Sequence, residues 1–330
     1  KREQETEQVK KSAKKQDGFD VKRTGDATVV FIGLPSVGKS TLLNRLTGSK
    51  SAIGAYQFTT LTVVPGVMNY RGARIQVLDL PGIIKGASTG KGLGKRILSV
   101  ARSADIVLLV LDVFQPYHED VLINELGNIG IRLNQTPPDI VIEKSTTGGI
   151  AVAQQKKLKK MSEKLLKEIL NIYGYTSARV VIKEDIESEQ LIDFINGNKT
   201  YAKGITILNK IDLVDEKFLK DVSKKLKTDF IPTSADSNKN INQLKERIYN
   251  ELQFIRVYLR PKGGETDFKE PLIVRKGNTV ADVCNKLHRN MKKDFRFGLV
   301  WGKSVKFGGQ RVSLNHVLID EDVLTVVKKR

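Results

Sequence analysis

The sequence predicts an α/β protein with three folded parts: a domain built on a parallel sheet, an inserted α/β subdomain and a C-terminal β-grasp domain. The apolar runs at 27–32 and 106–111 are typical of strands buried on both faces. Asp112 and Asn209, which each end an apolar run, lie 97 positions apart, whereas one helix and its loops need about half of that length. From residue 256 onward, short strands surround one helix, which indicates a small β-grasp fold.

Composition limits the classes of protein to which the chain can belong. Its 330 residues, 40% of them hydrophobic, can form more than one core. The single cysteine, Cys284, is predicted to be a small buried thiol; it excludes a disulfide framework and fits a reducing cytosol, so we expect a cytoplasmic protein. No apolar run has the length of a membrane span, and the charged first residues do not form a signal peptide, so no membrane partner is expected.

The chain carries a formal net charge of +19. A positive field of this size indicates a polyanionic partner, either RNA or the ribosome. A surface that is charged only for solubility is the alternative. The two differ in where they place the charge, since a polyanion-binding surface concentrates it in one part of the chain.

A phosphate-binding loop follows the first predicted strand. Residues 33–40 match the pattern G-x-x-x-x-G-K-[ST], and a helix-like segment, 41–46, comes after it. Its two glycines let the backbone turn tightly enough to aim N–H groups at phosphate oxygens. Lys39 would place a charge on the β- and γ-phosphates, and the Ser40 hydroxyl is suited to Mg²⁺. The nucleotide contacts predicted in this segment are Gly33, Pro35, Ser36, Val37, Gly38, Lys39, Ser40 and Thr41.

The segment 51–61 has the position and composition of switch I in a GTPase. In switch I a threonine hydroxyl reaches Mg²⁺ and its backbone N–H reaches the γ-phosphate. We assign that role to Thr60 rather than Thr59, and we count Phe58 and Thr59 among the nucleotide contacts. Without the neighbouring motifs, two β-favouring threonines at the start of a strand would explain these residues equally well.

Two further strands, 62–70 and 74–78, are predicted to lead into a D-x-x-G pattern. Asp79 would bind Mg²⁺ through water, and the Gly82 N–H would contact the γ-phosphate. The next residue is Ile83, where Ras-like enzymes place the glutamine that orients the attacking water. The metal ligands predicted from these motifs are Ser40, Thr60 and Asp79.

A guanine-recognition motif, N-K-x-D, follows a later apolar run. The Asp212 carboxylate would accept two hydrogen bonds from the guanine N1–H and the exocyclic amine, and adenine cannot donate both. Asn209 and Lys210 would support the base and the phosphate loop. The backbone of Ser234 and Ala235 would approach the guanine oxygen. This motif favours GTP over ATP as the bound nucleotide.

The insertion is predicted to contain strands at 139–143 and 178–183 with a helix between them. The apolar side of that helix is expected to be core and consists of Leu158, Met161, Leu165, Ile169 and Ile172. Lysines on the other side fit a solvated face and an RNA contact equally well: Lys156, Lys157, Lys159, Lys160, Lys164 and Lys167.

The C-terminal segment has a pattern of its own after a predicted helix at 240–255. Its predicted strands are 255–259, 271–274, 299–301, 303–307 and 323–327, around a helix at 279–292. Residues 256–330 hold 17 Lys or Arg against 8 Asp or Glu, a net charge of +9, and this concentration favours a module that faces a polyanion. Trp301 is predicted to be core rather than a surface on which a base stacks.

These segments give the predicted domain organisation. The N-terminus has almost no apolar spacing, so a polar helix fragment and a disordered arm both fit it. The predicted boundaries are 1–25 for an N-terminal polar helix remnant, 26–135 and 201–254 for the two parts of the nucleotide domain, 136–200 for the inserted subdomain and 255–330 for the β-grasp domain.

Together the motifs resemble the developmentally regulated GTP-binding (DRG) proteins of the Obg-like GTPases. The resemblance covers residues 18–330 and is carried by residues 33–41, 58–61, 79–84 with 86–87, 130–140, 209–212 and the tail from Phe254. It implies a Ras-like P-loop GTPase domain, an inserted α/β subdomain and a C-terminal TGS domain of β-grasp fold. The N-terminal helix-turn-helix that is usual in the family would be present here only as a remnant.

The resemblance also implies partners and shows two departures from the family pattern. It implies association with translating ribosomes and with a stabilising partner protein, and DNA is not expected as a partner. Lys85 stands where Obg-like proteins generally carry an acidic residue or tyrosine. Ser36 stands where potassium-activated relatives carry asparagine, which argues against a potassium-dependent mechanism.

The sequence therefore predicts a Mg²⁺-dependent GTPase that converts GTP to GDP and phosphate and acts as a translation-linked switch. Lys39 and Thr60 are the predicted catalytic residues. Because Ile83 replaces the water-orienting glutamine, intrinsic turnover should be slow, and a partner, the ribosome or a monovalent cation must complete the site. The alternatives are an RNA-binding scaffold that uses GTP as a structural ligand and an ATP-hydrolysing relative, against which Asp212 argues.

Overall fold

The computed structural model describes residues 24–48, 56–58, 61–80 and 100–329, and for 56–58 and 61–63 it describes the backbone alone. The chain divides into two compact units, one of residues 1–122 with 204–330 and one of residues 123–203. Within the described ranges, no helix combines the length and the apolar composition that a membrane crossing needs. The finer domain boundaries given above stay a prediction.

The first part of the nucleotide domain alternates strands and helices, as expected for an α/β fold. Its elements are β1 (Ala27–Ile32), α1 (Lys39–Thr47), β2 (Tyr56–Phe58), β3 (Leu61–Tyr70), β4 (Ala73–Asp79), β5 (Ile106–Asp112) and α2 (His118–Asn128). β1 pairs in parallel with β4 and β5, and β3 runs antiparallel to β4. The strands predicted in this part are confirmed to within one residue at each end.

The unit of residues 123–203 contains a small sheet with two helices. Its elements are β6 (Ile131–Leu133), β7 (Ile140–Lys144), β8 (Ile150–Gln154), α3 (Glu163–Ile172), β9 (Ala178–Ile182) and α4 (Ser188–Asn196). β9 lies at the centre of the small sheet, antiparallel to β7 and parallel to β8. Leu166 of α3, Val180 of β9 and Leu191 of α4 meet in one buried cluster, which makes the insertion an α/β subdomain as predicted.

The predicted apolar stripe is confirmed for Met161 and Ile169, which lie in the buried cluster, and for Leu158, which packs against it, and it is wrong for the remaining two residues. Leu165 is 41% exposed and Ile172 is 80% exposed, whereas Leu166 and Leu170 are buried beside Ile169. Leu158 and Met161 precede the helix, because α3 begins after Ser162, whose hydroxyl accepts a hydrogen bond from the Leu165 N–H. Residues outside the helix do not follow its rotation, so their spacing does not predict the side that α3 buries.

The second part of the nucleotide domain completes the large sheet. Its elements are β10 (Thr200–Asn209), a 3₁₀ helix (Ile211–Leu213), α5 (Glu216–Ser223), β11 (Phe230–Pro232) and α6 (Ile241–Glu251). The strand order is β11-β10-β5-β1-β4-β3-β2, and β6 pairs with β10. The last helix ends at Glu251 rather than at residue 255, because Gln253 adopts a left-handed conformation (φ 53°) and the next strand begins at once.

The C-terminal domain is a sheet with one helix on it. Its elements are β12 (Phe254–Leu259), β13 (Leu272–Arg275), α7 (Val280–Leu287), β14 (Phe295–Trp301), β15 (Gln310–Val312) and β16 (Asp322–Lys328), in the order β13-β12-β16-β14-β15. Val283 and Cys284 of α7 pack on Val257 and Val300 of the sheet. Cys284 is buried as predicted, and burial raises the pKa of its thiol.

Three predictions for the C-terminal domain were wrong. Residues 303–307 form turns and bends rather than a strand. The hydroxyl of Ser304 is hydrogen-bonded to Nε2 of His316, and the chain pairs with β14 only from Gln310 onward. The helix ends at Leu287 rather than at residue 292, since His288 is extended (φ −162°). Trp301 is half-buried and lies outside the apolar core cluster.

Glu119 is a buried carboxylate that ties α2 to the large sheet. Its side chain is 2% exposed. Its Oε1 accepts hydrogen bonds from the hydroxyls of Thr206 on β10 and of Thr228, and its Oε2 accepts one from the Lys227 N–H at 3.0 Å. Removing the carboxylate would leave these donors without their acceptor inside the protein.

We predict that Glu119→Ala destabilises the fold much more than Asp120→Ala. Leaving buried donors unsatisfied should cost about 1–3 kcal/mol. Asp120 forms only an exposed ion pair with Lys227, and such pairs contribute about 0–1 kcal/mol. Urea unfolding of both variants measures the difference, and equal losses of unfolding free energy would contradict the structural role of Glu119.

Candidate nucleotide-binding site

The candidate site lies at the carboxyl ends of strands in the large sheet. The phosphate-loop segment follows β1, and β4, β5 and β10 end at Asp79, Asp112 and Asn209. β1 lies between β4 and β5, so the strand order reverses beside it. Open α/β sheets bind ligands at the carboxyl ends of their strands at such a position.

Both glycines of the loop are required by close packing. A Cβ at Gly33 would lie 2.6 Å from the carbonyl oxygen of Val110 on β5, and a Cβ at Gly38 would lie 2.3 Å from Nδ2 of Asn209. Gly38 also has a left-handed conformation, with φ of 93°, that favours glycine. The loop therefore runs directly against β5 and the end of β10.

Lys39 begins α1 with a largely buried ammonium. Its Nζ donates hydrogen bonds to the carbonyl oxygens of Gly33 at 3.1 Å and Leu34 at 3.0 Å. Burial lowers the pKa of the Lys39 ammonium, and the charge of the Asp79 carboxylate partly offsets this effect. A buried cation held by neutral carbonyls gains from an added anion, so the loop and its lysine fit a phosphate group.

Ser40 and Asp79 form an oxygen pair beside the loop. The Ser40 hydroxyl donates to Oδ2 of Asp79 at 2.5 Å. The other oxygen, Oδ1, is buried and has no hydrogen-bond partner among the residues that the structure describes. Burial raises the pKa of the Asp79 carboxyl, while the hydrogen bond from Ser40 and the charge of Lys39 lower it. Hydroxyl and carboxylate oxygens are hard ligands of the kind Mg²⁺ prefers, so this pair fits a magnesium site.

The Asn209 side chain joins the phosphate loop to the loop after β11. It is 2% exposed. Its Nδ2 donates to the carbonyl oxygen of Val37 at 2.8 Å, and its Oδ1 accepts from the Ala235 N–H at 3.1 Å. The amide is thus satisfied on both sides by backbone groups of two distant segments.

Lys210 and Asp212 follow in a tight turn. Lys210 has a left-handed backbone (φ 69°), and its Nζ lies 2.7 Å from Oδ2 of Asp112 at the end of β5. Asp212 is exposed in the short 3₁₀ helix. This arrangement leaves the Asp212 carboxylate accessible to a ligand, as a base-reading acceptor must be.

Ser234 and Ala235 are buried and held in place by side chains and backbone. Ser234 exchanges backbone hydrogen bonds with Lys239, and its hydroxyl accepts from the Ser237 N–H at 3.1 Å. Arg45 of α1 donates from Nε to the Ala235 carbonyl oxygen at 2.8 Å. Sequence reasoning missed Arg45, and also the pairing of Lys210 with Asp112, because the sequence carries no local signal for contacts across 190 and 98 positions.

The remaining predicted residues are placed as follows. Pro35 and Ser36 are exposed on the loop, Val37 is buried, and Thr41 lies half-buried on α1. Phe58 is described only as backbone of β2. The predictions for Thr59, Thr60, Gly82, Ile83, Lys85 and the glycine-rich segment 86–94 fall outside the described residues.

Comparison with known proteins places the chain in a family. Residues 28–144 match the family described as 50S ribosome-binding GTPase, residues 147–254 match the C-terminal region of the MMR_HSR1 domain, and residues 255–328 match the TGS domain. Developmentally-regulated GTP-binding protein 1 of Xenopus laevis is 45% identical over 95% of this chain and 85% of its own length. The chain belongs to the developmentally regulated GTP-binding (DRG) family.

Other relatives agree with the DRG assignment. An uncharacterized GTP-binding protein of Methanocaldococcus jannaschii is 52% identical over 95% of this chain and 81% of its own length. Ribosome-interacting GTPase 1 of Saccharomyces cerevisiae is 42% identical over 94% of this chain and 85% of its own length. The Ras-like P-loop GTPase fold with a C-terminal TGS domain, predicted from the motifs, is confirmed by these matches.

We predict that Gly38→Ala lowers nucleotide affinity while Gly48→Ala does not. Both glycines have left-handed φ values, 93° and 70°, so either change should cost about 1–2 kcal/mol of stability. Only the Cβ at Gly38 would meet Asn209, because no described atom lies within 4 Å of a Cβ at Gly48. Titration with a fluorescent GDP analogue should show a loss of more than about tenfold for Gly38→Ala, equivalent to about 1.4 kcal/mol. Equal affinity of the two variants would contradict the packing argument.

Proposed function

We propose that this DRG-family chain hydrolyses GTP to GDP and phosphate with Mg²⁺ and acts as a ribosome-associated switch in the cytoplasm. The observation that carries the proposal is the buried Lys39 beside the Ser40–Asp79 pair, at the same sheet edge as the N-K-x-D segment. The names of the relatives, GTP-binding proteins and a ribosome-interacting GTPase, support the nucleotide and the partner.

The residues at the phosphate loop would stabilise the charge that develops as water attacks the γ-phosphate. Lys39 would exchange its two carbonyl acceptors for phosphate oxygens, and the N–H groups at the start of α1 would face the same oxygens. Ser40 and Asp79 would hold Mg²⁺, which neutralises charge on the β- and γ-oxygens. We assign to Thr60 the ordering of switch I, on the sequence pattern alone.

The base would be read on the other side of Asn209. The exposed Asp212 carboxylate supplies the acceptor for guanine, and the buried Ala235 N–H is already fixed by Asn209. Lys210, anchored to Asp112, would lie along the base with its aliphatic stem. This division of roles explains why GTP rather than ATP is the proposed substrate.

The proposed turnover is slow without a partner. Ile83 has no group that could orient the attacking water, and Ser36 stands where potassium-activated relatives carry asparagine. A group supplied by the ribosome or by a stabilising partner protein would therefore complete the site, as groups given in trans do in other GTPases. Binding of that partner would therefore regulate the rate of GTP hydrolysis.

We predict that Asp212→Asn moves base preference from guanosine towards xanthosine nucleotides. The loss of hydrogen bonds to a charged acceptor should weaken GTP binding by about 1.5–3 kcal/mol. Asp215→Asn is the matched control, since Asp215 caps α5 through the Phe218 N–H and asparagine caps helices equally well. Competition binding with GTP and xanthosine triphosphate measures the shift. Unchanged GTP affinity in Asp212→Asn would remove guanine recognition from the proposal.

We predict that ribosomes accelerate GTP hydrolysis by this chain and that Lys39→Ala abolishes both the basal and the stimulated rate. A missing group supplied in trans can raise the rate of other GTPases by about 10³–10⁵. Release of phosphate from GTP, with and without ribosomes and across a salt series, tests both statements. Hydrolysis by Lys39→Ala near the unaltered rate would refute the role of the loop. If nucleotide binds without any hydrolysis in either condition, the chain is an RNA-binding scaffold instead.

A further inference from the structure

The C-terminal sheet has two faces of different chemistry. Alternate residues of its strands, among them Val257, Val300 and Leu324, pack under α7 in the apolar core. The residues between them lie on the opposite face, because successive side chains of a strand point to opposite sides. We call this opposite face the aromatic face, and its defining residues are Tyr258, Phe297, Leu299 and Trp301.

The strand register brings the aromatic side chains into a regular arrangement. Tyr258 on β12 and Trp301 on β14 are both paired with Val323 of β16, so these residues form a row across the sheet. Phe297 lies four residues before Trp301 on β14 and therefore about 13 Å along the same strand. Phe268, which is 64% exposed, lies with its ring centroid 5.1 Å from that of Tyr258.

Arginine side chains accompany these rings. The guanidinium of Arg260 lies 5.0 Å from the centroid of the Trp301 ring, and that of Arg311 lies 4.1 Å from the centroid of Phe297. A second guanidinium, of Arg296, lies 5.9 Å from Phe297. All three arginines are exposed, whereas the rings are half-buried. Each ring thus combines an apolar surface with an adjacent positive charge that is accessible to solvent.

The charge near this face is suited to an anion. Residues 256–330 carry a net charge of +9. Two acidic residues next to the sheet, Asp320 and Glu321, are both paired with Arg256, at 2.7 and 2.8 Å. Burial raises the pKa of the Asp320 carboxyl, but its hydrogen bonds with Arg256 hold that pKa below its ordinary value. Because Arg256 partly neutralises the negative charges of Asp320 and Glu321, these two residues oppose the binding of a polyanion only weakly.

We propose that the aromatic face binds single-stranded RNA: bases replace the guanidinium groups of Arg311 and Arg260 on the rings of Phe297 and Trp301, and the displaced guanidinium groups hold the phosphates. Sheet faces that bear aromatic residues bind unpaired RNA in this way, because every base presents a π-face. A duplex buries its bases and would be held by charge alone. The inference rests on the proposed function only for the choice of RNA as the polyanion; it does not depend on GTP hydrolysis.

The binding experiment uses the full chain with GDP and a fluorescein-labelled, unstructured uridine decamer, beside the same decamer in a duplex. The decamer should bind more tightly than the duplex. Phe297→Leu and Trp301→Leu should each weaken decamer binding by about tenfold, since stacking on one aromatic residue contributes about that factor. Phe114→Leu is the matched control, because Phe114 is 51% exposed but follows β5 in the nucleotide domain.

Salt dependence separates stacking from charge. Arg311→Gln removes the exposed charge beside Phe297 and should reduce the slope of log affinity against log salt by about 0.7, the value for one phosphate of a single strand. Phe297→Leu should leave that slope unchanged while lowering affinity at every salt concentration. Trp301→Phe keeps a ring for stacking and should retain most of the affinity, so it remains informative if Trp301→Leu does not fold.

The binding and turnover measurements test the aromatic face and the proposed GTPase activity separately. Equal binding of decamer and duplex, or aromatic variants that bind the decamer as the unaltered chain does, would overturn the inference and leave a purely electrostatic surface or a protein-binding face. GTP turnover is measured on the same samples and should be unchanged by Phe297→Leu. Loss of RNA stacking with normal turnover would bear on the aromatic face alone, and absent turnover with intact RNA stacking would bear on the proposed GTPase activity alone.

Discussion

The two hydrogen bonds of the Asn209 amide fix the geometry on which the nucleotide site depends. One holds the carbonyl of Val37 in the phosphate-loop segment, and the other holds the N–H of Ala235, for which we propose a place beside the guanine base. Because the amide is buried, losing either partner would leave a polar group unsatisfied, at a cost of about 1–3 kcal/mol. The glycine at position 38 is a consequence, since a Cβ there would meet Nδ2 of this amide. One side chain therefore joins the two segments for which we propose phosphate and base recognition.

Much of the site could be predicted because its residues are determined by local requirements. Gly38 needs a left-handed backbone next to a close neighbour, and Asp79 and Asn209 are polar residues that directly end buried strands. Such features appear in the sequence as patterns of a few residues. The ties that complete the site, Arg45 to Ala235 and Lys210 to Asp112, join segments far apart in the chain. No sequence pattern predicts these two contacts, because they form only when the sheet brings distant segments together.

The errors in the fold also have a physical origin. Apolar spacing over 158–172 treats Leu158 and Met161 as part of one helix, but α3 begins only after Ser162, so these two residues do not share the rotation that buries its other side. Large apolar residues are usually buried, which predicts a core position for Trp301. In a sheet covered by one helix, however, every second position faces away from that helix. Size alone could not tell on which face of β14 the tryptophan lies.

The C-terminal domain contacts the nucleotide domain at the amino ends of β1 and β5, whereas the phosphate loop lies at the carboxyl end of β1. Arg275 pairs with Asp105, which also accepts a hydrogen bond from the Thr28 N–H at the start of β1, and Lys286 pairs with Asp26 at 2.9 Å. β1 has six residues, so about 20 Å of strand separates these contacts from the loop. Under the proposed function, Arg275 and Lys286 are therefore held far from the γ-phosphate, and these two side chains would not supply the group that completes the site.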